Sequence, residues 1–176
     1  MKTIEEVKSA VRNVPDFPQK GIQFKDITPI LQNPELFSST IDYMVGLKKF
    51  LKEPTVDVIA GIDARGFIFG AAIANKLGVS FVPIRKKGKL PWDTYEESYD
   101  LEYGSNTIEI HKDAFVNNKK VLLVDDLLAT GGTAAAAVNL VRKAGGEVVE
   151  SVFMIELEFL NGRSKMDCEV RSLITY

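Results

Sequence analysis

The chain has 176 residues, 45% hydrophobic and 26% charged, enough to bury one substantial core and too few for two. Its formal net charge of -2 excludes a nucleic-acid surface spread over the whole molecule, so any anion needs a local site. The single cysteine, Cys168, excludes an internal disulfide and a CxxC metal cluster. With no leader-like start and no apolar run of bilayer length, a cytoplasmic domain without membrane contact is expected.

Thr3 followed by Glu6 forms a capping box, and Ile4, Val7, Val11 and Val14 recur at helical spacing until Pro15. Pro15, Asp16, Phe17, Pro18 and Gly21 then make an irregular connection. Asn33 and Pro34 supply an N-cap and a first helical residue, after which Phe37, Ile41, Met44, Val45 and Leu51 continue an apolar face up to Pro54. From there strand and helix alternate. Residues 56–60 read as a buried strand, 66–77 as a small-residue helix closed by Gly78, and 79–84 as a second strand. Residues 121–124 make a third, 133–144 a helix ended by Gly145 and Gly146, 148–155 a fourth strand and 170–174 a last one. This order predicts an α/β single domain over 1–176: a mainly parallel, twisted sheet flanked by helices. The polar stretch 85–111 interrupts the alternation and ends in an alternating segment, 107–111, which fits an inserted flap hairpin.

Ligands of open parallel sheets sit beyond the carboxyl ends of the strands. Three loops lie there. In residues 121–133, VLLVDDLLATGGT, a strand runs into Asp125 and Asp126 and then a turn opening a helix. Gly131 and Gly132 clear space for converging N–H groups, the helix start adds its positive dipole end, and Thr130 and Thr133 add hydroxyl donors. That set suits a phosphomonoester, with the aspartates left for sugar hydroxyls or a metal ion. The P-loop and dinucleotide fingerprints do not fit, because no lysine follows the glycine pair and the glycines are adjacent. The second loop, Gly61 to Gly66, offers glycines for close approach and Arg65 for a second phosphate. The third carries Arg85, Lys86, Lys87 and Lys89. One phosphate cradle and two cationic loops at one sheet edge fit a sugar bearing a monophosphate at one end and a more highly charged group at the other.

The string VDDLLATGGT is similar to the phosphoribosyl-pyrophosphate (PRPP) motif of the type I phosphoribosyltransferases, and Leu127, Leu128 and Ala129 within it resemble the adenine branch of that family. The stretches PDFP at 15–18, GIQFKDITP at 21–29, ARGF at 64–67, RKKGKLP at 85–91 and LEYG at 101–104 extend the resemblance from about residue 14 to 176. It implies transfer of phosphoribose from PRPP to adenine, giving AMP and pyrophosphate with Mg2+, in a homodimer. It assigns the 5′-phosphate to Ala129, Thr130, Gly131, Gly132 and Thr133, and the ribose hydroxyls to Asp125 and Asp126. Arg65, Lys86, Lys89 and Tyr103 would face pyrophosphate, Arg85 would reach a neighbouring subunit's site, and Mg2+ would come chiefly with the substrate rather than on a protein metal site. Glu102, on the flap at 85–111, would be the acid/base group near adenine N7. Phe24 would stack on the base, read at its edge by backbone around Gln23 and Lys25 within an N-terminal segment, 1–33. Gln23 and Lys25 depart from residues that some members carry there.

Two other readings compete. A phosphoribosyltransferase for a 6-oxopurine would share the PRPP half of the site. A PRPP-sensing regulator would need a nucleic-acid module or a basic face, which this composition does not provide. His111 and Cys168 are expected to be structural, and Trp92 is given no role.

Overall fold

Thr3 caps the first helix as its sequence requires. Its hydroxyl accepts from the Glu6 N–H at 3.2 Å, and the Glu6 carboxylate accepts from the Thr3 N–H at 2.8 Å. The computed structural model, which describes residues 1–46, 56–100, 105–116 and 119–176, runs this helix, α1, over Ile4–Ala10. The apolar spacing extended it to Val14, but Arg12–Pro15 forms strand β1 instead, antiparallel to β2 at Gln23–Asp26, with Val14 paired to Phe24. A two-turn helix gains little from one more turn, and the pairing outweighs it. Helix α2 covers Thr28–Leu31 and α3 covers Pro34–Gly46. Asn33 caps α3, its side-chain oxygen accepting from the N–H groups of Glu35 and Leu36 at 3.0 and 3.1 Å. The expected continuation through Leu51 to Pro54 lies outside the described residues.

The alternating half of the chain forms β3 (Val58–Ile62), α4 (Arg65–Leu77), β4 (Ser80–Lys86), β5 (Thr94–Asp100), β6 (Ser105–His111), β7 (Lys120–Leu128), α5 (Gly132–Lys143), β8 (Glu147–Glu156) and β9 (Val170–Thr175). One seven-stranded sheet runs in the order β5-β6-β4-β3-β7-β8-β9. Strands β4, β3, β7, β8 and β9 are parallel; of the inserted hairpin, β6 runs against β4, and β5 runs against β6. The expected α/β domain with a mainly parallel sheet and an inserted hairpin is what forms.

Side chains leave successive strand residues on opposite faces, so the continuous apolar runs of β3 and β7 bury both. Ile59, Leu122 and Val124 pack with Ile30, Met44, Phe69 and Ile73 under the N-terminal helices and α4. Val58, Ala60, Ile62, Val121 and Leu123 pack on the other face against Ala136, Ala137, Leu140 and Val141 of α5. Each fully buried Ile, Leu or Phe contributes about 1.5–3 kcal/mol. The base of the hairpin belongs to this core. Ile108 and Ile110 are buried with it, and Lys143 of α5 donates to the Glu96 carbonyl at 2.8 Å. The helices end as their glycines dictate, with Gly78 and Gly145 in the left-handed region at φ 66° and 87°.

Candidate active site

Strands β3, β4 and β7 are parallel and in register, so their carboxyl ends open on one edge. A cleft of about 440 Å³ lies there. Its walls include Asp63 and Arg65 from the β3–α4 loop, Lys86 from the end of β4, and Tyr99 and Asn106 from the hairpin strands. The whole run from Asp125 to Ala134 completes it. The three loops singled out in the sequence thus meet at one site.

The cradle is built by the chain's own geometry. Gly131 takes φ 79° at the N-cap of α5 and turns the strand into the helix. The first N–H groups of a helix have no acceptor within it, so the backbone after Gly131 presents donors and a positive dipole end toward the cleft. Ala129, Thr130, Gly132 and Thr133 line the same wall.

Asp125 and Asp126 follow the buried part of β7. Asp126 is buried, its carboxylate 2.7 Å from Arg65 Nε, and its N–H donates to Asp125 Oδ1 at 2.8 Å. Burial, then repulsion from Asp126, pushes the Asp125 carboxyl well above the usual carboxylate range. Burial raises Asp126 too, with Arg65 opposing it. Such a pair gains from hydroxyl donors or from a cation. Among the described residues no group of three His, Cys, Asp or Glu converges. Two carboxylates do not make a full ligand set, so an ion held by them would take its remaining ligands from substrate and solvent.

Arg65 also lies 5.3 Å from the Phe24 ring centroid, so it joins the cleft to the N-terminal ribbon. Phe24 packs edge-on against Phe17 at 5.1 Å. Lys25 turns elsewhere, donating to Asn13 Oδ1 at 2.7 Å with its ammonium 3.6 Å from the Tyr176 ring centroid. Gln23 is exposed. Arg85 folds onto its own chain, with Nε 3.3 Å from Asp63 Oδ2 and Nη1 donating to the Lys89 carbonyl at 3.2 Å. Lys86 lines the cleft, whereas Lys89 is exposed and outside its wall. Glu102 and Tyr103 lie outside the described residues. Tyr99 and Asn106, a registered pair next to Asp100 and Ser105, do line the cleft.

Gly61, inside β3, and Gly66, in the first turn of α4, do a different job from the one expected. A Cβ on Gly61 would meet the Phe81 ring at 2.7 Å, and one on Gly66 would meet Asp125 Oδ1 at 2.8 Å. They admit α4 against β4 and β7, with protein rather than ligand making the close approach. Sequence reasoning also missed Glu109 and Gly162. Glu109 is buried and accepts from Lys89 N–H and Leu90 N–H at 2.8 and 2.7 Å, which fixes the basic loop. Gly162 packs against the phosphate cradle. A buried glutamate in a strand was the only available signal for the first, and none marked the second. His111 sits at the end of the hairpin paired with Thr94, and Cys168 lies 3.2 Å from Ser151 Oγ before β9.

A model of the phosphoribosyl transferase domain matches residues 27–171, and the chain belongs to that family. Its relatives include the adenine phosphoribosyltransferase of Parvibaculum lavamentivorans, 52% identical over 97% of this chain and 98% of the relative. That of Sulfurimonas denitrificans is 55% identical over 96% and 93%. The crystal structure of adenine phosphoribosyltransferase from Thermoanaerobacter pseudethanolicus superposes with TM-score 0.94 at 49% identity, covering 99% of this chain and 100% of the other. The Saccharomyces cerevisiae enzyme, crystallised with an imino-altritol bisphosphate and adenine, gives 0.93 at 44% identity over 97% of each chain.

Proposed function

We propose that the chain transfers the 5-phosphoribosyl group of PRPP to adenine, forming AMP and pyrophosphate in purine salvage. The observation that carries this is the cleft itself. A helix-start phosphate cradle adjoins paired carboxylates and two cationic loops, in a chain about half identical to adenine phosphoribosyltransferases along its length.

In this reading Ala129, Thr130, Gly131, Gly132 and Thr133 hold the 5′-phosphate, and Asp125 and Asp126 accept from the ribose hydroxyls. Purine N9 bonds to the anomeric carbon as its bond to pyrophosphate oxygen breaks, the electron pair leaving with pyrophosphate and one proton leaving the purine. Positive charge builds on the ribose in between, so water must be excluded and the leaving anion held. Arg65, Lys86, Lys89 and Tyr103 serve that anion. Glu102 adjusts the proton at N7, carried on the hairpin that closes the site. Phe24 stacks on the base, and backbone groups at Gln23 and Lys25 read its edge. Magnesium, arriving on PRPP, neutralises charge on the departing pyrophosphate when bound. Arg85 reaches a second subunit in a homodimer. No described helix is long and apolar enough to cross a membrane, and the reading includes a cytoplasmic location for the salvage reaction.

The test is a nucleobase panel. Adenine, hypoxanthine, guanine and xanthine are each offered with PRPP and magnesium, and nucleotide formation is followed. Adenine should be consumed at least tenfold faster than the others, about 1.4 kcal/mol of discrimination. Preference for a 6-oxopurine would overturn the assignment.

A further inference from the structure

The phosphate cradle does not stand alone. The chain leaving β8 returns across it through two short 3₁₀ turns, Glu158–Leu160 and Gly162–Lys165, joined at Asn161. Asn161 takes φ 51°, a left-handed conformation that asparagine tolerates, and its carbonyl accepts from Ser164 Oγ at 2.7 Å. This brings Gly162 onto the backbone of the cradle. A Cβ on Gly162 would run into the Ala129 carbonyl oxygen and stand 2.8 Å from Gly131 N, and one on Gly131 would run into the Gly162 carbonyl. Backbone lies against backbone on both sides, with no room for a side chain on either glycine.

Arg163 locks this arrangement. Its Nε and Nη2 donate to the two carboxylate oxygens of Glu156 at 3.0 and 2.5 Å, and its Nη1 donates to the Val170 carbonyl at 2.6 Å. Ser172 Oγ donates to the same carboxylate at 2.6 Å. Glu156 is buried at the end of β8, so the fork is anchored in the sheet rather than in solvent. The Leu157 N–H donates to the Leu128 carbonyl at 2.9 Å, tying the start of the returning segment to the start of the cradle.

We propose that Gly162 and Arg163 are positioning residues for the 5′-phosphate: the turn, clamped by Glu156, fixes the backbone of residues 129–131 and so the aim of the N–H groups that follow. This rests on the phosphate reading of the cradle, but not on which base is used. A group that positions a phosphate equally in ground and transition states changes KM and leaves kcat alone.

The experiment compares wild type, Gly162→Ala and Arg163→Lys, each checked for folding by circular dichroism and melting temperature. Calorimetric titration with PRPP and AMP is run beside initial rates. Gly162→Ala should weaken PRPP and AMP binding about 10- to 100-fold, the loss expected for a misaimed charge-assisted hydrogen bond. KM for PRPP should rise to match, while kcat stays within about threefold and KM for adenine is unchanged. Arg163→Lys keeps a cation for Glu156 but loses the fork, and should show the same pattern more weakly. It answers the question if the alanine variant does not fold. Unchanged PRPP affinity in a folded variant would overturn the proposal. So would a loss shared equally by PRPP, adenine and kcat, the mark of general loosening. A wild type that binds PRPP and AMP but makes no nucleotide from adenine would sink the assigned reaction, while the variants' loss of binding would still uphold the positioning role.

Discussion

Arg65 Nε stands 2.7 Å from Asp126 Oδ2, and the same guanidinium lies 5.3 Å from the centre of the Phe24 ring. One side chain thus touches both the carboxylate pair given to ribose and the aromatic ring given to the base. The sequence reading had aimed Arg65 at pyrophosphate alone. In the free protein it offsets the repulsion between Asp125 and Asp126, and it is placed to turn toward a more strongly charged anion when one arrives.

Arg65→Gln should therefore weaken PRPP binding in two ways, removing a cation and leaving Asp126 buried without its partner. Charge-assisted bonds of about 1.5–3 kcal/mol correspond to a rise in KM for PRPP of about 10- to 100-fold. Arg65→Lys should recover little of it, since an ammonium cannot form the planar fork or stack on a ring. Steady-state kinetics at varied PRPP measure this, and a KM for PRPP within twofold of wild type would discount the role.

At Asp125 the fold works against the charged form. Burial and the neighbouring carboxylate raise its folded-state pKa above the unfolded value, so the folded state binds its proton more tightly. Such a group stabilises the fold at low pH, and that contribution is lost as pH rises through the folded pKa. Asp125→Asn removes the charge and keeps an oxygen to accept from the Asp126 N–H. At neutral pH the ligand-free variant should melt higher, by about 2–4 °C for each kcal/mol relieved. The gain should vanish as pH falls into the ordinary carboxylate range. PRPP affinity should drop at the same time. Thermal melts over a pH series, with and without PRPP, give both readings, and a variant less stable than wild type at neutral pH would contradict the argument.

The parallel sheet was legible because β3, β7 and β8 are apolar runs bounded by glycine turns, and because Asp125, Asp126 and the residues after them form a local signal at a strand end. The missed features are those made by contacts between distant segments. Arg12–Pro15 left the helical pattern because β2 offers it a partner. Gly61 and Gly66 read as ligand-facing until Phe81 and Asp125 were seen to fill the space beside them. Gly162 and Glu156 follow the cradle by a whole helix and strand, and nothing within a short window links them to it.

Glu102 rests on the family pattern. The pair Tyr99 and Asn106 lines the cleft, so the strand residues on either side of 101–104 reach the site. Glu102→Ala should lower kcat on the order of 10²–10³-fold while PRPP still protects the protein against heat. Glu102→Gln should fall almost as far, because an amide cannot take up a proton. Rates near wild type in both variants would remove Glu102 from the mechanism.

Glu109 governs the basic loop from beneath. Burial pushes its carboxyl up, but the N–H groups of Leu90, Gly88 and Lys89 outweigh that and hold the pKa below its ordinary value. A depressed carboxyl stabilises the fold above its unfolded pKa, and the contribution is lost as pH falls through the folded one. Glu109→Gln keeps the size and one acceptor oxygen but loses the charge that makes these bonds strong. The variant should melt about 2–4 °C lower at neutral pH for each kcal/mol removed, and this deficit should shrink as the wild type is acidified below the carboxylate range. Because Lys86 follows the same loop geometry into the cleft, KM for PRPP should rise several-fold, on the order of the effect of losing one neutral hydrogen bond. KM for adenine should stay put, since Phe24, given to the base, sits on the N-terminal ribbon and not on the basic loop. Melting curves from neutral to acidic pH, paired with PRPP and adenine saturation kinetics, test both halves. An equal deficit at every pH would show that the carboxylate's charge is not what holds the loop.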